Sequence, residues 1–143
     1  MAANRATVAA LRQVDLFKRC TKKDLEALAA IVEEVEVTAG TVLCDQGRVA
    51  DACFVVIEGT ANVKVGDDIV AQSTVGQPIG EMGLLDHLPR SATVSAITPM
   101  RLYKIDAHKF EELLSSTAIA RGLLEHLSLR VREFDVGRGR IPI

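Results

Sequence analysis

Residues 35–106 contain a series of short β-type runs separated by turn signals, and this feature limits the fold more than any other. The runs are rich in β-branched residues and read VEV, TVL, FVVIE, ANVKV, DIVAQ, SATVSA and MRLYKI. Glycine-containing turns stand between most of them. Such close spacing leaves no room for the crossover helices that parallel neighbours require. The pattern therefore predicts a mainly β fold, an antiparallel β roll or jelly-roll barrel.

Helical patterns flank this β-rich centre. A helix is predicted from Thr21, because the sequence T-K-K-D supplies a hydroxyl cap and a carboxylate three residues later. Asp106 is predicted to cap a short helix after the last strand. A longer helix follows, with an apolar stripe of Leu124, Leu127, Val131 and Phe134 that is expected to pack on the roll or on a second copy of the chain.

The chain length of 143 residues fits a single domain. The predicted parts are an N-terminal helical segment over 1–20, the main domain over 21–135 and a flexible tail over 136–143. Within the main domain, the β roll is predicted at about 35–106 and the C-terminal helices at about 107–135. The predicted order is helices, β roll, helices.

The charge distribution argues against a nucleic-acid partner. The formal net charge is −2, and residues 31–118 carry six Lys and Arg against thirteen Asp and Glu. Binding along a phosphate backbone needs clustered basic residues. Aromatic residues make up only 3% of the chain, and tryptophan is absent, so a surface that stacks bases is not expected either. An anion bound in the acidic centre has to be held by a few placed groups.

Cysteines and apolar runs predict the compartment. The three cysteines, Cys20, Cys44 and Cys53, have no C-x-x-C spacing, and their odd number in a chain without a signal peptide predicts free thiols in the cytoplasm. No apolar run approaches the roughly 20 residues that span a bilayer. We therefore expect a cytoplasmic domain without a membrane segment.

Metal and nucleophile chemistry have no support in the sequence. The three histidines are scattered and are predicted to be surface residues: His87, His108 and His126. No nucleophile stands with a base in a recognisable motif. We expect neither a metal site nor a catalytic residue.

The segment from Gly80 to Leu85 interrupts the β pattern. It is too short to be a strand with its own partner, and it places good helix formers after a glycine, which predicts a one-turn helix. The unpaired N–H groups at the start of a helix favour an anion. Gly80 and Gly83 are predicted to let the backbone approach a ligand closely.

Arg90 and Glu81 suggest what this ligand is. Arg90 follows the stiff residue Pro89, and a guanidinium at that corner can bind a phosphate through two parallel hydrogen bonds. Ser91 can add a hydroxyl. Glu81 would repel a phosphate unless it accepts a hydrogen bond from another part of the ligand, such as a ribose hydroxyl. Two alternatives assign no ligand to these residues. Arg90 would be an exposed loop arginine, or Glu81 and Arg90 would form a weak ion pair around a structural turn.

Two motifs in this region resemble the phosphate-binding cassette of cyclic nucleotide-binding domains. They are GEMGL at 80–84 and PRSATV at 89–94, and we call residues 80–94 the cassette. The resemblance extends to GTVLCDQG, FVVIEGTANV and MRLYKID, and covers roughly residues 16–135. It implies that Glu81 holds the ribose 2′-hydroxyl and that Arg90 holds the exocyclic phosphate oxygens. The implied ligand-binding set is Gly80, Glu81, Met82, Gly83, Arg90, Ser91 and Ala92.

The resemblance implies a regulatory sensor rather than an enzyme. Its ligand would be cAMP, with cGMP left open because the Ser91 hydroxyl can also meet a guanine amino group. Apart from this ligand, no cofactor is expected. Binding would move the last helix, and the residue that caps the base is left open among Arg130, Arg132, Phe134 and the tail. The signal would pass to an effector domain or protein that this sequence does not contain.

Other functions stay open from the sequence. The last helix is a candidate homodimer contact. The main alternative is an interaction scaffold of the same fold that binds no nucleotide and acts through its C-terminal helix. A third reading makes Glu81 a general base that acts on a cyclic phosphodiester.

Overall fold

The N-terminal part of the molecule is helical. The computed structural model describes residues 5–137, with side chains as far as 132 in the last helix. It begins with α1 (Arg5–Arg12), a 3-10 helix (Asp15–Phe17) and α2 (Lys22–Ile31). At the start of α2, Thr21 Oγ1 accepts from the N–H of Asp24 at 3.1 Å, and Asp24 Oδ2 accepts from the N–H of Thr21 at 3.0 Å. This reciprocal pair confirms the predicted helix start.

Two four-stranded antiparallel sheets form the centre of the molecule. The strands are β1 (Glu33–Val37), β2 (Val42–Cys44), β3 (Ala52–Glu58), β4 (Ala61–Val65), β5 (Asp68–Ser73), β6 (Pro78–Ile79), β7 (Thr93–Ala96) and β8 (Met100–Asp106). The first sheet has the order β1-β8-β3-β6, and the second has the order β2-β7-β4-β5. The prediction of a mainly β antiparallel roll with flanking helices is confirmed.

The strand β6 is absent from the sequence prediction, which assigned Pro78 to a turn. Pro78 and Ile79 pair with Val55 and Phe54 of β3, at the edge of the first sheet. Proline is tolerated there because an edge strand does not need every N–H for pairing. Two residues are also too few to show the alternation by which a strand is recognised in sequence.

Three helices follow or interrupt the sheets. The short helix α3 (Glu81–Asp86) stands where the one-turn helix is predicted, and α4 (Ala107–Leu113) begins after Asp106, whose Oδ1 accepts from the N–H of Lys109 at 2.9 Å. The last helix, α5 (Thr117–Gly137), extends two residues into the predicted tail; residues 138–143 lie outside the described residues. Within 5–137, no helix has both the length and the apolar character to cross a membrane.

The strand β3 separates two hydrophobic cores, because alternate side chains of a strand point to opposite faces. Phe54 and Val56 lie in the core between the two sheets. Cys53 and Val55 lie in the second core, between the first sheet and the helices. Both faces are therefore buried, which explains why this strand reads as a continuous apolar run.

The helix α5 does not pack through the predicted apolar stripe. Leu124 and Val131 are 67% and 60% exposed, whereas Ile119 and Leu123 are buried. A shift of one residue turns a helix face by about 100°, so the residues next to the stripe face the core instead. Packing of Leu124 and Val131 on the roll is thus not seen, and packing of the stripe on a second copy stays a prediction. Leu127 is half-buried, and the side chain of Phe134 lies outside the described residues.

Candidate ligand-binding site

The seven predicted ligand-binding residues lie together around one cavity of about 80 Å³. The cavity lies between α3, the loop before β7 and the second sheet. The predicted lining residues are Gly80, Glu81, Met82, Gly83, Arg90, Ser91 and Ala92. Arg130, one of the four candidates for the base cap, also lines the cavity. The remaining lining residues were not predicted from the sequence: Cys44, Val63, Ser73, Pro78, Ile79 and Val94.

The backbone of Arg90 is held by the turn that follows β2. Its N–H donates to the carbonyl of Arg48 at 2.8 Å, and its carbonyl accepts from the N–H of Gly47 at 2.9 Å. The side chain points inward and is 7% exposed. Its Nη1 donates to the carbonyl of Gly80 at 2.6 Å, and its Nη2 donates to the carbonyl of Ala52 at 2.5 Å. The guanidinium therefore has a fixed position at the cavity wall.

The buried charge of Arg90 has no carboxylate partner within 4 Å among the side chains of residues 5–132. The two carbonyl contacts use two of the five N–H donors of the guanidinium. An unpaired buried charge is costly, and it becomes favourable when an anion with good geometry neutralises it. Arg90 is thus a preoriented cation that faces the cavity.

Two glycines of the cassette lie where a side chain would collide with neighbouring protein atoms. Gly80 has a φ of +83°, and a Cβ there would lie 2.5 Å from Arg90 Nη1. A Cβ on Gly83 would lie 2.7 Å from the Cβ of Ala50. The sequence interpretation assigned both glycines to close approach of a ligand. In the structure both line the cavity, but the atoms that a side chain would meet first belong to the protein.

Glu81 is a buried carboxylate that contacts a histidine of α5. Its side chain is 3% exposed, and its Oε1 lies 3.3 Å from Nε2 of His126. Burial raises the pKa of Glu81, but hydrogen bonds from His126 and from its own backbone, with the charges of His126 and Arg130, bring it below the ordinary value. Glu81 therefore faces the cavity as an anion.

The prediction that His126 is a surface residue is wrong. Its side chain is 22% exposed and packs towards Glu81, whereas His87 and His108 are 76% and 87% exposed, as predicted. A signal was present in the sequence, because His126 lies three residues after Leu123 and four before Arg130. This spacing places the three side chains on one helix face.

Side chains at the mouth of the cavity are more accessible. Met82 is 43% exposed, Ser91 is exposed, and Ala92 is half-buried. Of the residues considered for capping a base, Arg130 lines the cavity, while Arg132 is exposed and is not among the lining residues. The side chain of Phe134 and the tail from 138 lie outside the described residues.

The cysteines near the site are uncharged. Burial raises the pKa of Cys44, which lines the cavity, and raises that of Cys53 to about 12. Both thiols are free. They bring no negative charge to compete with an anion at Arg90. In the described part of the chain, no cluster of three or more His, Cys, Asp or Glu side chains has the arrangement of a metal site.

Comparison with known proteins identifies the family of this site. The family model described as "Cyclic nucleotide-binding domain" matches residues 34–117, which include the cassette and both sheets apart from the first residue of β1. The chain belongs to the cyclic nucleotide-binding domain family. This domain and its flanking helices share the β-roll architecture of regulatory domains in solved structures.

Three relatives illustrate the setting of such domains. A cyclic nucleotide-gated potassium channel of Rhizobium etli is 36% identical over 104 residues, with 73% of this chain and 29% of the channel covered. An uncharacterized ABC transporter ATP-binding protein of Mycobacterium tuberculosis is 38% identical over 102 residues, which cover 68% of this chain and 31% of that protein. The regulatory domain of Toxoplasma gondii PKA, solved with cAMP, is 26% identical at a TM-score of 0.72, and the match covers 92% of this chain and 52% of that one. The chain spans less than a third of the length of these two sequence relatives.

Proposed function

We propose that this domain binds a cyclic nucleotide reversibly, performs no chemistry on it and transmits binding through α5. The observation that carries the proposal is the buried guanidinium of Arg90, which lines the cavity and, in the described part of the chain, donates only to two backbone carbonyls. Such a group favours an anion in the cavity, and a phosphate matches its planar fork. Glu81, which is ionised in the same cavity, favours a hydroxyl donor close to that phosphate.

A cyclic nucleotide satisfies both groups at once. Its single negative phosphate would take the free donors of Arg90, and its ribose 2′-hydroxyl would donate to Glu81. The two side chains approach the ligand from α3 and from the loop before β7, so one compact ligand bridges them. A ligand with a phosphate and no neighbouring hydroxyl would leave Glu81 buried against a like charge, which is unfavourable.

We favour cAMP over cGMP as the ligand. The Toxoplasma gondii relative was solved with cAMP, and it shares the fold over most of this chain. The exposed Ser91 at the cavity mouth can also hydrogen-bond a guanine amino group, so cGMP is the competitor to test.

The helix α5 is positioned to report on the ligand. Its residues His126 and Arg130 contact Glu81 and line the cavity, respectively. The cavity volume of about 80 Å³ is below the roughly 300–1,000 Å³ of typical ligand pockets. Entry of a nucleotide therefore requires the exposed side chains of Met82 and Arg130, or α5 itself, to shift. The differential affinity of the two arrangements would be the signal to an effector outside this sequence.

The setting of the domain is part of the proposal. The sequence relatives join the matched region to a channel or to a transporter ATP-binding protein, so we infer an output partner without naming its class. Three free thiols fit a reducing compartment, and we place the domain in the cytoplasm.

The second candidate function is an interaction scaffold that binds no nucleotide. It is favoured by the exposed apolar residues Leu124, Leu129 and Val131 on α5, which would suit a partner or a second copy of the chain.

The two candidate functions predict different responses to a nucleotide. Thermal unfolding of protein that has been denatured and refolded to remove carried-over nucleotide should be recorded with cAMP, cGMP and linear 5′-AMP.

A sensor is expected to gain about 2.7 kcal/mol in unfolding free energy at a cAMP concentration of 100 times Kd. A smaller gain is expected with 5′-AMP, whose phosphate is not tied back to the ribose. A scaffold would show no change with any nucleotide, and this result would reject the proposed function. Chromatography after incubation should recover cAMP intact, whereas conversion to 5′-AMP would support the enzymatic reading.

A further inference from the structure

The contact between His126 and Glu81 joins the last helix to the cassette. The two residues are separated by 45 positions in sequence, and Nε2 of His126 lies 3.3 Å from Oε1 of Glu81. The imidazole is 22% exposed and the carboxylate 3% exposed, so most of the contact is shielded from water. A hydrogen bond in such a setting is stronger than one on the surface.

The nucleotide-binding function proposed above gives this contact a role. We propose that His126 is a positioning residue for ribose recognition: it holds the carboxylate of Glu81 through one oxygen and thereby orients it for the 2′-hydroxyl of the nucleotide. The same contact keeps α5 on the cassette.

The carboxylate of Glu81 can accept hydrogen bonds from the His126 imidazole and from a ribose hydroxyl at the same time. A carboxylate offers about four acceptor positions on its two oxygens, and His126 contacts only Oε1. A ribose hydroxyl can therefore donate to Glu81 without displacing the imidazole. A free glutamate side chain loses rotamer entropy when it is fixed in one orientation. Because His126 fixes the side chain beforehand, the ligand does not bear this cost.

His126 differs from the other groups that act on Glu81. These groups are Arg130 from α5, Cys44 from β2 and Cys53 from β3. Burial raises the thiol pKa values of both cysteines, so these two groups stay neutral. Among the described side chains of residues 5–132, His126 is the one within hydrogen-bond distance of the Glu81 carboxylate.

The test compares His126→Leu with His126→Gln, whose amide nitrogen replaces the Nε2 donor. The matched control is His108→Leu, because His108 is 87% exposed on α4 and its partner is Glu112 rather than a cassette residue. Calorimetry should give the affinity of each refolded variant for cAMP and for 2′-deoxy-cAMP. We expect His126→Leu to weaken cAMP binding about tenfold, equivalent to about 1.4 kcal/mol. Binding of 2′-deoxy-cAMP should hardly change, and the Gln variant should recover much of the loss.

A second readout needs no nucleotide. Carbon NMR titration of the Glu81 carboxyl should show a higher pKa in His126→Leu than in the wild type, because the main hydrogen bond that lowers it has been removed. The control His108→Leu should leave the pKa of Glu81 unchanged.

The outcomes separate this inference from the proposed function. If the folded wild type binds neither cyclic nucleotide, the proposed function fails and the role of His126 fails with it. If the wild type binds cAMP and His126→Leu keeps the same preference over 2′-deoxy-cAMP, only the positioning role is rejected. Tighter cAMP binding by His126→Leu would also reject it, because the histidine would then compete with the ribose.

Discussion

At the scale of single residues, Arg90 is the side chain on which phosphate recognition depends. Its guanidinium is buried and bridges the carbonyls of Gly80 and Ala52. We predict that Arg90→Ala weakens cAMP binding by about 2–5 kcal/mol, as expected when one partner of a desolvated charge pair is removed. Calorimetric titration of the refolded variant measures this loss. The carbonyl of Ala52, which is buried, and that of Gly80, which is partly buried, also lose this donor, and an unsatisfied buried carbonyl costs about 1–3 kcal/mol.

The control for Arg90→Ala is Arg48→Ala. The backbone of Arg48 is hydrogen-bonded to that of Arg90, but its side chain is 80% exposed. This variant should bind cAMP as the wild type does. A loss of affinity within error for Arg90→Ala, in protein that urea unfolding shows to be folded, would mean that the phosphate is bound elsewhere.

Glu81 gives the second prediction at this scale. Glu81→Gln replaces an ionised acceptor by a neutral amide, and charge-assisted hydrogen bonds are roughly twice as strong as neutral ones. The preference for cAMP over 2′-deoxy-cAMP should therefore narrow, as competition binding with the two ligands would show. Glu112→Gln is a suitable control, since this carboxylate is 62% exposed on α4 and pairs with His108, outside the cassette. An unchanged preference in Glu81→Gln would place the ribose contact on another residue.

At the scale of elements, α5 provides a direct test of which helix face is buried. Leu123 is 3% exposed and its neighbour Leu124 is 67% exposed. We predict that Leu123→Ala lowers the free energy of unfolding by about 2–5 kcal/mol. Leu124→Ala should change it by less than about 0.5 kcal/mol. Urea unfolding of the two variants makes this comparison. A larger loss of unfolding free energy in Leu124→Ala than in Leu123→Ala would mean that the stripe predicted from sequence is the buried face.

The approach of α5 to the N-terminal helices depends on Gly122. A Cβ at this position would lie 1.9 Å from the carbonyl oxygen of Leu16 in the 3-10 helix. Gly→Ala within a helix normally stabilises by about 1 kcal/mol. Here we predict that Gly122→Ala destabilises by about 1–3 kcal/mol, because one of the two elements has to move. Urea unfolding measures the sign, with Ser128→Ala as the exposed control on the same helix. A stabilised Gly122→Ala would show that the two elements are not in contact.

At the scale of the whole molecule, the sequence predicts the roll and its flanking helices because their signals are local. Alternating apolar residues, turn glycines and the caps at Thr21 and Asp106 depend only on neighbours in the chain. The cassette is recognisable for the same reason, since both of its motifs lie within the single short segment 80–94.

The missed features depend on contacts between distant segments. His126 meets Glu81 across 45 positions, and the sequence alone does not say which face of α5 turns towards the cassette. The role of Gly80 in making room for the Arg90 guanidinium also depends on the folded loop. Neither feature has a local pattern that distinguishes it from an ordinary surface histidine or a turn glycine.

The decisive experiment is a calorimetric titration of the refolded wild-type protein, with cAMP and separately with cGMP. We predict one-to-one binding of both nucleotides, with the higher affinity for cAMP. The affinity should fall by the amount given above when Arg90 is replaced by Ala. No heat from either nucleotide, on protein shown to be folded, would reject nucleotide binding and leave the exposed face of α5 as the functional surface.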